Sequence, residues 1–194
     1  MTSSAKTHEF FRFIKKMVGE LGLNSKLFAE IMDDETVLLS GRMLAVGVLL
    51  YVKSGGLLPD RWIIGLIDDI IVMVAALVII IPLIPESRLE YYRKKYEVVN
   101  RINEYEALMI SILGILWERF IQFTERLRNR TYRGKSTEEV VHSDELREDI
   151  FDETMEFIAN LNIDPATIDS EFERLPSPEK IIGLLSSGLE KEQR

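Results

Sequence analysis

The feature that most constrains this chain is an apolar stretch of 24 residues, Trp62 to Pro85, which only the adjacent acids Asp68 and Asp69 interrupt. Within it, Ile70 to Ile81 is a run of twelve consecutive apolar residues. No alternating pattern of strands and helices surrounds this run, so its length favours a helix over a buried strand. The prolines that follow the run predict the end of that helix.

A second apolar helix precedes this stretch. The sequence predicts a helix from Asp34 to Val52 that is apolar on every side from Met43 to Tyr51, and a Gly-rich break follows it. The two helices are therefore expected to form a hairpin. The residues predicted to be either membrane-facing or buried in a core are Trp62, Ile70, Ile71, Val74, Leu77, Val78 and Ile81.

Hydropathy alone leaves two environments open for this hairpin. A spanning helix needs about 20 mostly apolar residues. Each acid near the helix centre raises the free energy of membrane insertion by about 2.5–3.5 kcal/mol, and each Leu, Ile or Val lowers it by about 0.3–0.6 kcal/mol. The net free energy of insertion is therefore near zero. Bases flank both ends of the hairpin, which favours an inner membrane location with cytoplasmic termini. The alternative is a cytoplasmic protein whose hairpin is the core of a soluble bundle.

The remaining sequence predicts further helices, so the expected fold class is all-α. A long amphipathic helix is predicted from Ser87 to Arg130, because apolar residues recur there at steps of three and four. The expected organisation is N-terminal amphipathic helices at 1–33, the apolar hairpin at 34–86, the long helix with a basic end at 87–135, and an acidic helical region at 136–194.

Charge is distributed unevenly along the chain. The net charge is −8, but residues 136–194 hold 16 acids and 5 bases, whereas residues 1–135 hold 16 acids and 19 bases. The acidic end argues against a nucleic-acid partner. A basic cluster closes the long helix and is predicted either to complement the helix C-terminus or to contact an anionic surface. Its members are Arg126, Arg128, Arg130, Arg133 and Lys135.

The chemistry that the chain can perform is limited by its composition. There is no cysteine and there are only two histidines, far apart, so thiolate chemistry is excluded and a zinc site would depend on carboxylates. No nucleotide loop or nucleophile signature is present. We therefore expect no catalytic residue and no cofactor.

Three acids near the start of the apolar stretch are weak candidates for a metal site: Asp60, Asp68 and Asp69. Carboxylates in an apolar helix could bind a cation or relay a proton. The alternative is structural, with Asp60 as a helix cap and the other acids in ion pairs, because buried acids need a partner. The bases expected as partners are Arg42, Lys53 and Arg61.

The same region resembles a known family. Leu49-Leu50-Tyr51, Leu58-Pro59-Asp60 and Gly65-Leu66-Ile67-Asp68-Asp69 follow the order and spacing of the YkvA-like family, a bacterial domain of unknown function. The likeness covers about residues 43–76. Ser54 and Gly56 stand where that family usually has proline and a first aspartate. The resemblance implies a small helical, often membrane-associated module, and it implies no catalytic mechanism.

The sequence thus favours a membrane-associated interaction or regulatory protein without catalytic activity. The partners expected are a membrane and either another protein or further copies of the chain. The alternatives are an oligomeric membrane-perturbing effector, a cation-binding protein that uses carboxylates, and a soluble helical bundle.

Overall fold

A computed structural model of the chain describes residues 3–54, 56–58, 63–161 and 163–192, and it confirms the all-α fold. The α-helices of these residues are α1 (Ser3–Gly19), α2 (Leu21–Asp33), α3 (Leu39–Lys53), α4 (Ile63–Ile80), α5 (Glu86–Lys95), α6 (Glu97–Asn100), α7 (Ile102–Leu113), α8 (Ile115–Arg126), α9 (Thr137–Val141), α10 (Asp144–Asn160), α11 (Pro165–Phe172) and α12 (Pro178–Glu192). Short 3₁₀ turns follow α4 and α8 at Ile81–Leu83 and Leu127–Asn129, and β1 (Thr131–Tyr132) pairs antiparallel with β2 (Lys135–Ser136).

The apolar helix α4 lies at the centre of the bundle, and α3 packs against it as the predicted hairpin. Fifteen of the 18 residues of α4 are buried. Helices α1, α7 and α8 cover α4, whereas α2, α9 and α10 pack on α3. The segment Ile63–Leu83 has the length and the mean hydropathy, 2.8, of a membrane span, but 83% of its most apolar window is buried within the protein. Core helices of soluble proteins share these properties.

The N-terminal helix α1 also turns its apolar side inward. Phe10, Phe13, Ile14, Met17 and Val18 are buried, and the helix contacts α4, α7 and α11. Its amphipathic pattern therefore serves the core of the bundle, because apolar side chains at this spacing form one stripe along a helix.

The long helix predicted from Ser87 to Arg130 is interrupted, so that prediction is wrong in its continuity. The backbone leaves the helical region at Tyr96, at Arg101 and at Gly114, where φ is +55° and ψ is −126°. Residues that carry a Cβ rarely adopt that backbone conformation, so the glycine permits the corner between α7 and α8. The apolar stripe itself is buried throughout: Leu89, Tyr92, Tyr96, Val99, Ile102, Tyr105, Met109, Leu113, Leu116, Phe120, Phe123 and Leu127.

The acidic C-terminal region is tied to the hairpin. After the β1–β2 turn, the Ser136 side chain and Glu139 form a reciprocal cap at the start of α9. Lys53 at the end of α3 pairs with Glu153 of α10, and Arg133 in the turn binds Glu153 at 2.8 Å and also Asp149. Helix α10 packs along α2 and α3.

Candidate functional site

The carboxylate of Asp68 is the most unusual polar group of the core. It lies in α4, its side chain is fully buried, and its Oδ2 accepts hydrogen bonds from the Tyr51 hydroxyl and from the Leu57 backbone N–H, the latter at 2.6 Å. Tyr51 comes from the last turn of α3, and Leu57 lies in the connector between the two helices. One oxygen therefore joins both helices of the hairpin to their connector.

Glycine at position 56 allows this approach. A Cβ at Gly56 would lie 2.7 Å from Cγ of Asp68 and would overlap its Oδ2. The carboxylate thus fills the space in which any other residue at 56 would carry its side chain. Position 56 departs from the YkvA-like pattern, but that departure alone does not predict its contact with Asp68.

Burial changes the acidity of both partners. Removal from water raises the pKa of Asp68 to about 7, although the donors Tyr51 and Leu57 favour the ionised form and oppose that rise. Burial, the hydrogen bond to Asp68 and the nearby Asp69 carboxylate all raise the pKa of the Tyr51 hydroxyl. The phenol therefore stays protonated and acts as a donor, while the carboxyl group can take up a proton near neutral pH. The second oxygen of Asp68, Oδ1, is buried without a hydrogen-bond partner in the described residues.

Aromatic and basic side chains close the site on the side of α8. The ring of Phe123 meets the Tyr51 ring edge-on, with centroids 5.6 Å apart, and the Arg130 guanidinium lies 5.1 Å from the Tyr51 centroid. Arg130 also donates to Ser54 Oγ at 3.0 Å, and Ser54 Oγ donates to the Tyr51 carbonyl at 3.1 Å. The end of α3 is therefore held by contacts that surround the phenol.

Two of the three bases expected to pair with the buried acids make other contacts in the described residues. Arg42 donates from Nε to the Met32 carbonyl at 2.9 Å and so closes the end of α2. Lys53 pairs with Glu153. A buried carboxylate oxygen can be satisfied by neutral donors instead of a base, as Oδ2 of Asp68 is here.

The other members of the predicted acidic set have different positions. Asp69 is buried beside Asp68, whereas Asp60 and Arg61 lie outside the described residues. Across the ranges that the structure describes, no three His, Asp or Glu side chains are placed together to hold a metal ion. What the arrangement can do with its described atoms is hold the hairpin closed and bind one proton.

The apolar candidates are mostly interior. Ile70, Ile71, Val74 and Leu77 are buried within the bundle. Val78 and Ile81 are half-buried, where the end of α4 approaches the surface, and Trp62 lies outside the described residues.

The members of the predicted basic cluster contact different groups. Arg128 donates to the Glu125 carbonyl at 2.9 Å, and Lys135 pairs with Glu139 at 3.1 Å. Arg130 and Arg133 make the contacts described above. Arg126 is exposed at the end of α8. Most of the cluster is thus engaged with groups of the same chain.

Comparisons of the chain with protein-family models, curated proteins and solved structures found no match. The likeness of residues 43–76 to YkvA-like domains therefore stays a hypothesis that rests on the quoted motif.

Proposed function

We propose that this chain is a non-catalytic helical interaction protein in which the α3–α4 hairpin is a closed core and the surface recognises a partner. The observation that carries the proposal is the use of Asp68. The strongest candidate for chemistry is sealed from solvent, and its bonded oxygen is committed to Tyr51 and to the connector. Groups that act on a substrate need access to it, so a function of this protein is better placed on its outside.

The family likeness supports a helical module at this place, whereas the membrane association that it implies supports the second candidate below. We infer that residues 43–76 form a YkvA-like helical module around which the other helices are packed. The Tyr51–Asp68 contact joins the two helices of this module.

Cell fractionation followed by an alkaline carbonate wash tests the closed core. We expect the full chain in the soluble fraction, because α4 buries fifteen of its 18 residues against protein. Recovery in the pellet after the wash would overturn the proposal, because carbonate removes peripheral proteins and leaves integral ones.

Membrane association is the second candidate function, and the length and hydropathy of Ile63–Leu83 favour it. In that arrangement the surrounding helices move away and the hairpin inserts, with both termini in the cytoplasm. Insertion would carry Asp68 and Asp69 into the bilayer, where each charge costs about 2.5–3.5 kcal/mol near the centre. The carbonate wash distinguishes the two candidates directly.

A further inference from the structure

Helix α10 presents a row of acids that the fold does not use. Its 17 residues hold seven acids and one base. Four of these acids recur at steps of three and four, are exposed, and make no hydrogen bond or ion pair with the described residues. We name them the acidic edge: Glu145, Glu148, Asp152 and Glu156. Asp149 and Glu153, on the side of the hairpin, are instead bound by Arg133 and Lys53.

Beside the acidic edge, α10 and α2 run antiparallel and leave a depression at each end of the pair. Gly22, near the start of α2, lies against Met155 and Ile158, whereas Asp33, at its end, pairs with Arg147 at 2.6 Å. The first depression has a volume of about 730 Å³, and the second has a volume of about 400 Å³.

Both depressions contain apolar side chains beside polar or charged ones. The first is bordered by Leu23, Ile158 and Ile163, and Leu23 is 47% exposed. The second is bordered by Met32 and Phe151, and Phe151 is only half-buried. A partner that covered both this exposed leucine and this half-exposed phenylalanine would gain free energy from their burial.

We propose that this surface, the α2–α10 groove, binds an amphipathic helix with a basic edge from a partner protein. The apolar side of that helix would cover Leu23 and Phe151, and its bases would face the acidic edge. The distance from Arg147 to Ile158 along α10 is about 16 Å, which matches three turns of helix. The inference rests on the proposed function and names the partner chemistry.

Charge complementarity selects the basic partner. The acidic edge has no internal counter-charge, so an approaching cation gains attraction without displacing an existing ion pair. The two bases at the groove differ in their ion pairs. Arg147 is already bound to Asp33 and Asp144, whereas Lys26 is exposed on α2 without an ion pair in the described residues. The acids beside the groove therefore outnumber its free base.

A defined peptide tests the inference on the full chain. The probe is a fluorescein-labelled peptide of about 18 residues, about 27 Å long as a helix. Its leucines are spaced to form one face of that helix, and its lysines form the opposite face. Anisotropy titrations are run in low salt and in about 0.3 M salt, because screening weakens surface attraction. We expect saturable binding to the native protein that weakens as salt rises.

Matched charge reversals locate the site. Glu148→Lys combined with Asp152→Lys should weaken binding about tenfold, equivalent to about 1.4 kcal/mol. Glu90→Lys combined with Glu118→Lys changes the net charge equally at exposed acids on α5 and α8, and it should leave the affinity within about twofold. Leu23→Ser should also weaken binding, whereas Leu184→Ser, at a leucine 41% exposed on α12, should not.

Three outcomes overturn the inference. Equal losses in both charge pairs would indicate unspecific attraction to an acidic protein. Unchanged binding by the Glu148 and Asp152 variant would place the peptide elsewhere. A concentration-dependent dimer that Leu23→Ser dissolves would identify a second copy of the chain as the occupant. None of these outcomes affects the carbonate result, so failure of the groove and failure of the closed core can be told apart.

Discussion

Replacing Asp68 with asparagine should change how the stability of the protein depends on pH. Asparagine keeps an oxygen that can accept from Tyr51 and Leu57, and it places an NH₂ group where Oδ1 has no hydrogen-bond partner among the described residues. The unsatisfied NH₂ costs about 1–2 kcal/mol at every pH. What the variant loses is the titration, because asparagine carries no charge between pH 4 and pH 8.

The size of the effect follows from the acidity of the buried group. The pKa of Asp68 is about 7 in the folded protein against 3.8 for the free side chain, and 1.36 kcal/mol per pH unit converts the difference to about 4 kcal/mol. Below pH 3.8 both folded and unfolded chains hold the proton. As the pH rises towards 7 the unfolded chain releases it first, so the native protein loses stability, and above 7 the loss is complete.

Urea unfolding followed by circular dichroism at constant ionic strength measures this effect. Between pH 4 and pH 8, the free energy of unfolding of Asp68→Asn relative to the native protein should move by about 4 kcal/mol in favour of the variant. Titrations of groups remote from Asp68 cancel in this difference. Parallel profiles for the two proteins would refute a buried carboxyl group with a raised pKa. Tyr51→Phe provides a second measurement, since removing a donor to the ionised form should move the transition to higher pH.

Three further substitutions test the packing and the ion network. Gly56→Ala should lower the free energy of unfolding by about 2 kcal/mol or more, because the new methyl group overlaps the buried carboxylate. The control is Gly183→Ala, at a helix position with open space around it. That variant should raise the free energy of unfolding by about 0.5–1 kcal/mol. Gly47→Ala should cost about 1–3 kcal/mol in the same urea assay, since its Cβ would lie 2.6 Å from the backbone carbon of Leu127; an unchanged midpoint would contradict this close approach. Glu153→Gln removes the charge that two bases share and should cost about 1 kcal/mol in low salt and less in high salt, measured by thermal unfolding at both ionic strengths.

The hairpin and the buried stripe could be predicted because both depend on where apolar residues lie. The spacing from Leu89 to Leu127 correctly indicates which side chains face the core. It does not report whether the backbone between them is continuous, because α5, α7 and α8 each keep the same side inward across the breaks. Gly114 was the local signal of a corner, and a lone glycine inside a periodic pattern is too common to decide it.

The partner of Asp68 could not be predicted for a different reason. Tyr51 belongs to the same YkvA-like motif, 17 residues earlier, but the rule that a buried acid needs a base predicts Arg42 or Lys53 as the partner. Neutral donors such as the Tyr51 hydroxyl and the Leu57 N–H can satisfy a buried carboxylate oxygen without a basic partner. The contact between Gly56 and the carboxylate depends on the path of the connector, which no pattern of residues encodes.

The order in which the chain is made adds a consequence to the central position of α4. This helix ends at Ile80, whereas α8, which covers it, begins at Ile115 and α12 begins at Pro178. At roughly 5–20 residues per second, the ribosome leaves the most apolar helix uncovered for several seconds. During that interval the nascent chain carries a segment that chaperones and the insertion machinery would bind as a membrane anchor. Packing of α4 into the bundle thus competes in time with its capture as a membrane anchor, and slower translation between residues 80 and 126 should favour the capture.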